Sequence, residues 1–133
     1  MLKRDSITAQ MQQLNQVLAR VKRLIIEDNE AEAKLMIEDK LSDYFKLRID
    51  QLMSIDEDTF AYEIKKLQFQ PEELDTLAYF IDEYAGLQDE LTEQLKMYRY
   101  YIELVDFLEK EHQYVSFEHT SRRALLKNQL NDL

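Results

Sequence analysis

The chain has 133 residues, with 45% hydrophobic and 33% charged side chains, no cysteine and a formal net charge of −10. A chain of this length and apolar content can bury its own core and is too polar for a membrane protein, so a single globular domain over residues 1–133 is expected. The lack of cysteine excludes disulfides, thiolate metal sites and cysteine nucleophiles.

Glycine and proline each occur once in the chain. Sheets joined by tight turns need several of each, so this scarcity favours an all-α fold. A single glycine also excludes a phosphate-binding glycine loop. No segment has the apolar core of a signal peptide or the roughly 20 apolar residues of a membrane span, so we expect a cytoplasmic protein without membrane contact.

The charge is unevenly distributed along the sequence. Residues 1–26 hold five basic side chains and one acidic one, so this segment carries +4 and the remainder −14. An acidic body repels phosphate backbones, so nucleic acid is not an expected partner. Arg20, Lys22 and Arg23 form either the solvated face of the first helix or a patch that docks on an acidic protein surface.

Two helices are predicted in the first third of the chain. The first runs from about Asp5 to Asp28, because apolar residues recur along one helix face. These residues are Ile7, Met11, Leu14, Leu18, Val21 and Ile25. Asn29 and Glu32 have capping-box spacing at the start of a second helix, which would pack antiparallel to the first across a short loop. Its expected inward residues are Ala33, Ile37, Leu41, Tyr44 and Phe45.

A shorter third helix is predicted after a turn around "LMSIDEDTF", with Ser54 or Asp56 as its N-cap. Asp56 and Asp58 also have calcium-loop spacing, but a third ligand and the turn glycine are missing, so we interpret these acids as a helix start. The expected inward residues are Phe60, Ile64 and Leu67.

The fourth helix has the clearest predicted start. Pro71 suits the first helical position, and Phe69 and Leu74 have the spacing of a hydrophobic staple. Gly86 is expected to end the helix in a left-handed cap. The predicted inward residues are Leu74, Leu77, Ala78, Ile81, Tyr84 and Ala85.

The fifth predicted helix, from about Leu87 to His112, carries three tyrosines around one arginine. Its polar residues fall on one narrow line: Asp89, Glu93, Lys96, Arg99, Glu103, Asp106 and Lys110. Tyr101 lies opposite that line, and Tyr98 and Tyr100 flank it. We therefore predict a central helix with its tyrosines in the core or at its edge. The alternative is that Tyr98, Arg99 and Tyr100 bind a partner, because Tyr and Arg are enriched in binding hot spots.

The last helix is predicted from an N-cap at Ser116 to about Leu130, with Leu126, Leu130 and Leu133 near one face. Before it, Glu109 and His112 form an E-x-x-H pair. A di-iron site needs a second such pair and two further inward glutamates, which the sequence does not offer. We therefore predict no metal and no cofactor, and the sequence supports no catalytic residue.

Three stretches resemble a known family: "LKRDSITAQMQQLNQVLARV", "LAYFIDEYAGLQ" and "FLEKEHQYVSFEHTSRRALLK". They are similar to the corresponding stretches of an uncharacterised family of small bacterial helical proteins, a domain of unknown function with a layout like tetratricopeptide repeats. The resemblance implies a helical stack over nearly the whole chain. It implies no catalytic residue.

These observations predict an all-α domain of about six helices, arranged as three stacked antiparallel hairpins in a tetratricopeptide-like superhelix. The predicted function is a non-catalytic protein interaction module, because helical stacks of this kind expose a long binding face. Two alternatives remain: a homo-oligomer held by the first helix, and a small-ligand or enzymatic protein with a pocket between helices. The candidate partner-binding residues are Tyr98, Arg99, Tyr100, Arg20 and Arg23.

Overall fold

The computed structural model describes residues 3–131, which form seven α-helices, one 3₁₀ turn and no strand. The helices are α1 (Lys3–Ile26), α2 (Glu30–Asp43), α3 (Ile49–Ser54), α4 (Phe60–Lys66), α5 (Pro71–Gly86), α6 (Leu91–His112) and α7 (Phe117–Asn131). The 3₁₀ turn spans Glu57–Thr59. The predicted all-helical class is confirmed for this part of the chain. No helix in it is long and apolar enough to cross a membrane.

The chain divides between Ser54 and Ile55 into two compact units, here called the N-terminal and the C-terminal unit. Each is described by itself, and the single domain expected over residues 1–133 stays a prediction. Leu133 and the side chains of Lys3 and Arg4 lie outside the described part of the chain.

The apolar stripe of α1 is buried as predicted from Ile7 to Val21, but the last member differs. Leu24 is buried where Ile25 was expected, and Ile25 is only partly buried. The helix also ends at Ile26 instead of Asp28, because Asp28 adopts a left-handed φ of 58° that no α-helix can contain.

Helix α2 follows Asn29 as predicted, but the expected capping box is not formed. The side-chain amide of Asn29 donates to Glu32 Oε2 over 2.9 Å and makes no cap hydrogen bond to the backbone. Ala33, Ile37 and Leu41 are fully buried.

Helices α1 and α2 run antiparallel, as contacts at both ends of the pair indicate. The Tyr44 hydroxyl donates to Gln10 Oε1 over 3.2 Å at one end. At the other end Arg20 Nη2 lies 3.9 Å from Glu32 Oε1. Helix α3, which closes the N-terminal unit, was not predicted, because six residues carry too little periodicity to be recognised.

The C-terminal unit begins with an N-cap at Asp56, one of the two positions predicted for it. Asp56 Oδ1 accepts a hydrogen bond from the Asp58 N–H over 3.3 Å and so caps the 3₁₀ turn. Phe60 and Ile64 of α4 are buried, whereas Leu67 is only partly buried. The predicted third helix is thus split into a 3₁₀ turn and a seven-residue α-helix.

Helix α5 starts at Pro71 as predicted, and the Gln70 N–H donates to Glu73 Oε1 over 2.9 Å. All six of its predicted inward residues are buried. The helix ends at Gly86, but the predicted left-handed cap is wrong, since Gly86 has no positive φ. The last turn tightens instead, with the Leu87 N–H donating to the Tyr84 carbonyl over 3.1 Å.

Helix α6 is the centre of the C-terminal unit, although it starts at Leu91 and not at Leu87. It packs against α4, α5 and α7. The Gln94 side chain, near its start, donates to the Ala85 carbonyl near the end of α5, so these two helices are antiparallel. None of the seven polar residues predicted on the solvated line is buried.

Candidate functional site

The tyrosines of α6 have three different environments. Tyr101 and Tyr100 are buried, at 1% and 0% exposure, while Tyr98 is half-buried and Arg99 is exposed. The predicted core position of Tyr101 is therefore confirmed. Tyr100, a candidate partner-binding residue, lies in the core and presents nothing to the surface.

Tyr100 is held by two contacts inside the C-terminal unit. Its ring stacks on Phe60, with centroids 4.3 Å apart and planes 17° apart. Its hydroxyl donates to the Ile55 carbonyl over 2.6 Å. These contacts attach the start of the unit to α6, so Tyr100 has a structural role.

Tyr98 lies under an ion pair that joins α5 to α7. Arg122 of α7 donates to both carboxylate oxygens of Asp82 in α5, with Nε to Oδ2 at 2.9 Å and Nη2 to Oδ1 at 3.0 Å. The same guanidinium carbon lies 5.7 Å from the centroid of the Tyr98 ring. Arg122 therefore pairs with the Asp82 carboxylate and lies over the Tyr98 ring.

The most deeply buried polar side chain in the described part of the chain is His119, at 1% exposure on α7. Its Nδ1 lies 2.7 Å from the Tyr101 hydroxyl, and its Nε2 lies 3.1 Å from both the carbonyl oxygen and Oδ1 of Asp75. A carbonyl oxygen only accepts, so Nε2 carries a proton and donates to Asp75, while Nδ1 makes the hydrogen bond with the Tyr101 hydroxyl. A chain of Asp75, His119 and Tyr101 thus links α5, α7 and α6.

This chain resembles a catalytic triad in residue types but not in chemistry. Burial, with the Asp82 carboxylate adding to it, raises the pKa of Tyr101 above its ordinary value of 10.0, so the hydroxyl remains protonated at neutral pH. The Tyr79 ring packs against the His119 ring with the planes 44° apart, and the Tyr79 hydroxyl donates to Glu118. Burial, and after it that hydrogen bond, raises the pKa of Tyr79. Tyr101 and His119 are both buried, and the hydrogen bonds of the group hold three helices together.

Glu109 and His112, the E-x-x-H pair, contact different side chains. Both oxygens of Glu109 accept from Arg123 of α7, at 2.8 and 2.9 Å, and Asp106 accepts from the same guanidinium at 2.7 Å. The ring of His112 instead meets the edge of Phe107. Among the side chains that the structure describes, no group of three or more metal-ligating residues is placed to hold an ion.

The contacts of His119 and Arg123 were not predicted from the sequence. Their partners lie between 14 and 44 residues away in the sequence, and no local spacing brings them together. The one local signal was the Ser116 cap, which is confirmed: its hydroxyl accepts from the His119 N–H over 3.2 Å.

The basic residues of α1 lie on the surface of the N-terminal unit. Arg20, Lys22 and Arg23 are all exposed, and Arg20 forms a loose ion pair with Glu32 of α2. Residues 1–54 hold nine acidic and nine basic side chains, so the whole net charge of −10 belongs to residues 55–133. The charge of α1 is therefore balanced within its own unit.

Two large apolar side chains are unusually exposed where α7 begins. Phe117 is 86% exposed and Val115 is 70% exposed, on either side of the capping residue Ser116. Leu125 follows two helical turns after Phe117 and is 49% exposed. Phe117 is the most exposed large apolar residue in the described part of the chain, and no sequence pattern singled it out.

Comparisons with known proteins give no relative. No protein-family model matches the chain, and neither a curated protein nor a solved structure matches it. The resemblance to small bacterial helical proteins of unknown function therefore stays a prediction.

Proposed function

We propose that this chain is a non-catalytic protein interaction module, and that its partner binds the segment Val115–Phe117, here called the 115–117 segment. The observation that carries this proposal is the exposure of Phe117 and Val115, at 86% and 70%. Covering a water-exposed aromatic ring with a partner lowers the free energy of the system. Aromatic residues are also enriched at the centres of binding sites. The partner is expected to be a protein with an apolar pocket.

The polar chemistry of the C-terminal unit supports a non-catalytic role. His119, Tyr101 and Asp75 are bonded to one another, and Arg122 and Arg123 are each bonded to carboxylates. These groups fix α7 on α5 and α6. The 115–117 segment is thereby presented from a firmly held helix start, which lowers the entropy cost of binding.

The proposal includes the predicted stacking of hairpins in a tetratricopeptide-like layout, and a cytoplasmic location. The antiparallel pairs α1 with α2 and α5 with α6 support the hairpin part of it, each within its own unit. Tyr98, Arg99, Arg20 and Arg23 remain predicted contributors to partner binding. Tyr100 is withdrawn from that set because it is buried.

A second candidate function is self-association through α1. The outward face of its first half carries Ala9, Gln12 and Gln16, which are exposed and uncharged, in a chain where 33% of residues are charged. The same face ends in Arg20 and Arg23, which could contact the acidic C-terminal unit of a second copy.

The test uses immobilised full-length protein and a bacterial lysate, with two matched variants. Phe117→Ser removes the exposed ring, and Leu91→Ser removes an apolar residue that is 56% exposed at the start of α6. We expect a partner that wild type and Leu91→Ser retain and Phe117→Ser loses, at equal melting temperatures. A partner retained equally by all three proteins would contradict the 115–117 segment as the binding surface.

A further inference from the structure

The C-terminal unit has an open groove between the end of α4, the turn that follows it, the start of α5 and the end of α6. Its volume is about 350 Å³, at the lower end of the range of small-molecule sites. Phe69 lines it from the turn between α4 and α5, Phe107 lines it from α6, and the buried side chains of Ile64 and Leu74 also line it. We call it the Phe69–Phe107 groove.

The aromatic walls suit a flat apolar group. Phe69 and Phe107 are both only partly buried, so their rings retain surface that a ligand could cover. The ring of His112 stands edge-on to Phe107, with centroids 5.5 Å apart and planes 68° apart, and extends that wall. A ligand ring between them would make the offset or edge contacts that aromatic groups prefer.

The rim carries one charge of each sign. Lys65 Nζ lies 3.9 Å from Glu111 Oε2, and the two side chains are 65% and 49% exposed. This distance is too long for a hydrogen bond, so the ammonium and the carboxylate both keep hydrogen-bonding capacity for a ligand. A ligand that presents a carboxylate to Lys65 and an ammonium to Glu111 would match both charges within the same few ångströms.

We propose that the Phe69–Phe107 groove binds a free aromatic amino acid as its zwitterion. The aromatic side chain occupies the space between the two phenylalanines, the α-carboxylate pairs with Lys65, and the α-ammonium pairs with Glu111. The −10 charge of residues 55–133 repels an aromatic acid, and an aromatic amine would leave Lys65 without a carboxylate from the ligand. This site is independent of the 115–117 segment and does not rest on the proposed function.

The experiment titrates four probes into ¹⁵N-labelled full-length protein at about 0.15 M salt, where long-range charge is screened. L-phenylalanine carries all three groups, 3-phenylpropionate lacks the ammonium, phenethylamine lacks the carboxylate, and glycine lacks the ring. A compound of this size is expected to bind with a Kd of about 1 mM. We expect saturable shifts of the amides of residues 64–70 and 107–112, strongest for L-phenylalanine and absent for glycine.

Two variants separate the charged contacts. Lys65→Gln should weaken binding of L-phenylalanine and 3-phenylpropionate by about three- to tenfold and leave phenethylamine unchanged. Glu111→Gln should weaken L-phenylalanine and phenethylamine and leave 3-phenylpropionate unchanged. The matched control is Lys66→Gln, because Lys66 pairs with Glu63 and lies over Tyr62, outside the groove.

Three outcomes would overturn the proposal. The first is a lack of saturable shifts from L-phenylalanine up to about 20 mM, well above the expected Kd. The second is tighter binding of either single-charge probe than of L-phenylalanine. The third is equal weakening by Lys65→Gln and Lys66→Gln. All variants change exposed side chains, so their melting temperatures should match that of wild type.

Discussion

The hydroxyl oxygen of Tyr101 lies 2.7 Å from Nδ1 of His119, in a part of the C-terminal unit where both side chains are only 1% exposed. Because Nε2 of the same ring faces two oxygens of Asp75, the imidazole is bonded on both sides. Helices α5, α6 and α7 are thus joined through one histidine, and its bond to Tyr101 is buried.

Removing only the Tyr101 hydroxyl should be costly. Tyr101→Phe leaves Nδ1 of His119 buried without its hydrogen-bond partner, which should lower the free energy of unfolding by about 1–3 kcal/mol in denaturant melts. Tyr101→Ala should cost about 3–5 kcal/mol, and Arg99→Ala, on the exposed side of α6, about 0.5 kcal/mol or less. The matched control is Tyr62→Phe, since the Tyr62 side chain is 63% exposed. Equal losses for Tyr101→Phe and Tyr62→Phe would mean that the His119 bond contributes nothing.

The Glu109–Arg123 ion pair predicts a pH dependence. The hydrogen bonds from Arg123 hold the pKa of Glu109 below its ordinary value of 4.5. The stability that this pair contributes is therefore fully present above about pH 4.5 and is lost as the pH falls through the lowered pKa.

Arg123→Gln should accordingly destabilise the protein by about 2 kcal/mol at pH 7, and the difference from wild type should shrink below about pH 4.5. Denaturant melts at pH steps from 7 to about 3 measure it. Lys66→Gln is the control, because its pair with Glu63 is half-exposed and should contribute about 0.5 kcal/mol or less. A difference between wild type and Arg123→Gln that stays constant into acid would contradict the assignment.

Four helices in the described part of the chain are followed by a residue in the left-handed region that is not glycine, and the cost of this can be tested. Asp28, Lys46, Gln68 and Gln113 have φ between 50° and 59°, after α1, α2, α4 and α6 respectively. A side chain in this left-handed region is strained, and glycine is not. Gln68→Gly should therefore raise the free energy of unfolding by about 0.5–1 kcal/mol.

The matched control for that change is Gln70→Gly, two residues later, where φ is −75°. Glycine relieves no strain at this position and adds freedom to the unfolded chain, so Gln70→Gly should leave stability unchanged or lower it. Stabilisation by both variants, measured in the same denaturant melts, would mean that the φ of Gln68 is not the cause.

The parts of the fold that the sequence predicted are those that local chemistry determines. Pro71 fixed the start of α5, Asp56 capped the 3₁₀ turn, and the stripe from Ile7 to Val21 is buried. The wrong predictions fall where contacts between residues far apart in the sequence determine the structure, or where two local conformational preferences compete. The predicted end of α1 was too late because Asp28 adopts the left-handed conformation. At the end of α5, Gly86 was predicted to adopt that conformation and does not.

The candidate sites were harder to predict than the fold. The helical wheel placed Tyr100 at the core edge, but its ring is fully buried by stacking on Phe60, 40 residues earlier in the sequence. Phe117 could not be identified, because nothing in the local sequence distinguishes an exposed apolar residue at a helix start from a buried one. The burial of both residues depends on which helices pack against them, and no spacing in the sequence contains that information.

Self-association through α1 predicts a dependence on salt. If Arg20 and Arg23 contact the acidic unit of a second copy, the associated species should dissociate between low salt and about 0.5 M salt. The double variant Arg20→Glu, Arg23→Glu should prevent association, and each exposed substitution should change stability by about 0.5 kcal/mol or less.

Light scattering at several salt concentrations measures this association. A species of 16.0 kDa under all conditions would exclude the homo-oligomer. A dimer insensitive to both salt and charge reversal would place the contact on an uncharged face of α1, which carries Ala9, Gln12 and Gln16.

Photo-cross-linking from position 117 in the producing cell tests the proposed binding surface most directly. The chain carries p-benzoylphenylalanine in place of Phe117, and a matched chain carries it in place of Leu91, which is also exposed. We predict a discrete adduct with a different protein from position 117 and none from position 91. Adducts from both positions or from neither would contradict a partner-binding role for the 115–117 segment, and an adduct of twice 16.0 kDa would instead indicate a second copy of this chain.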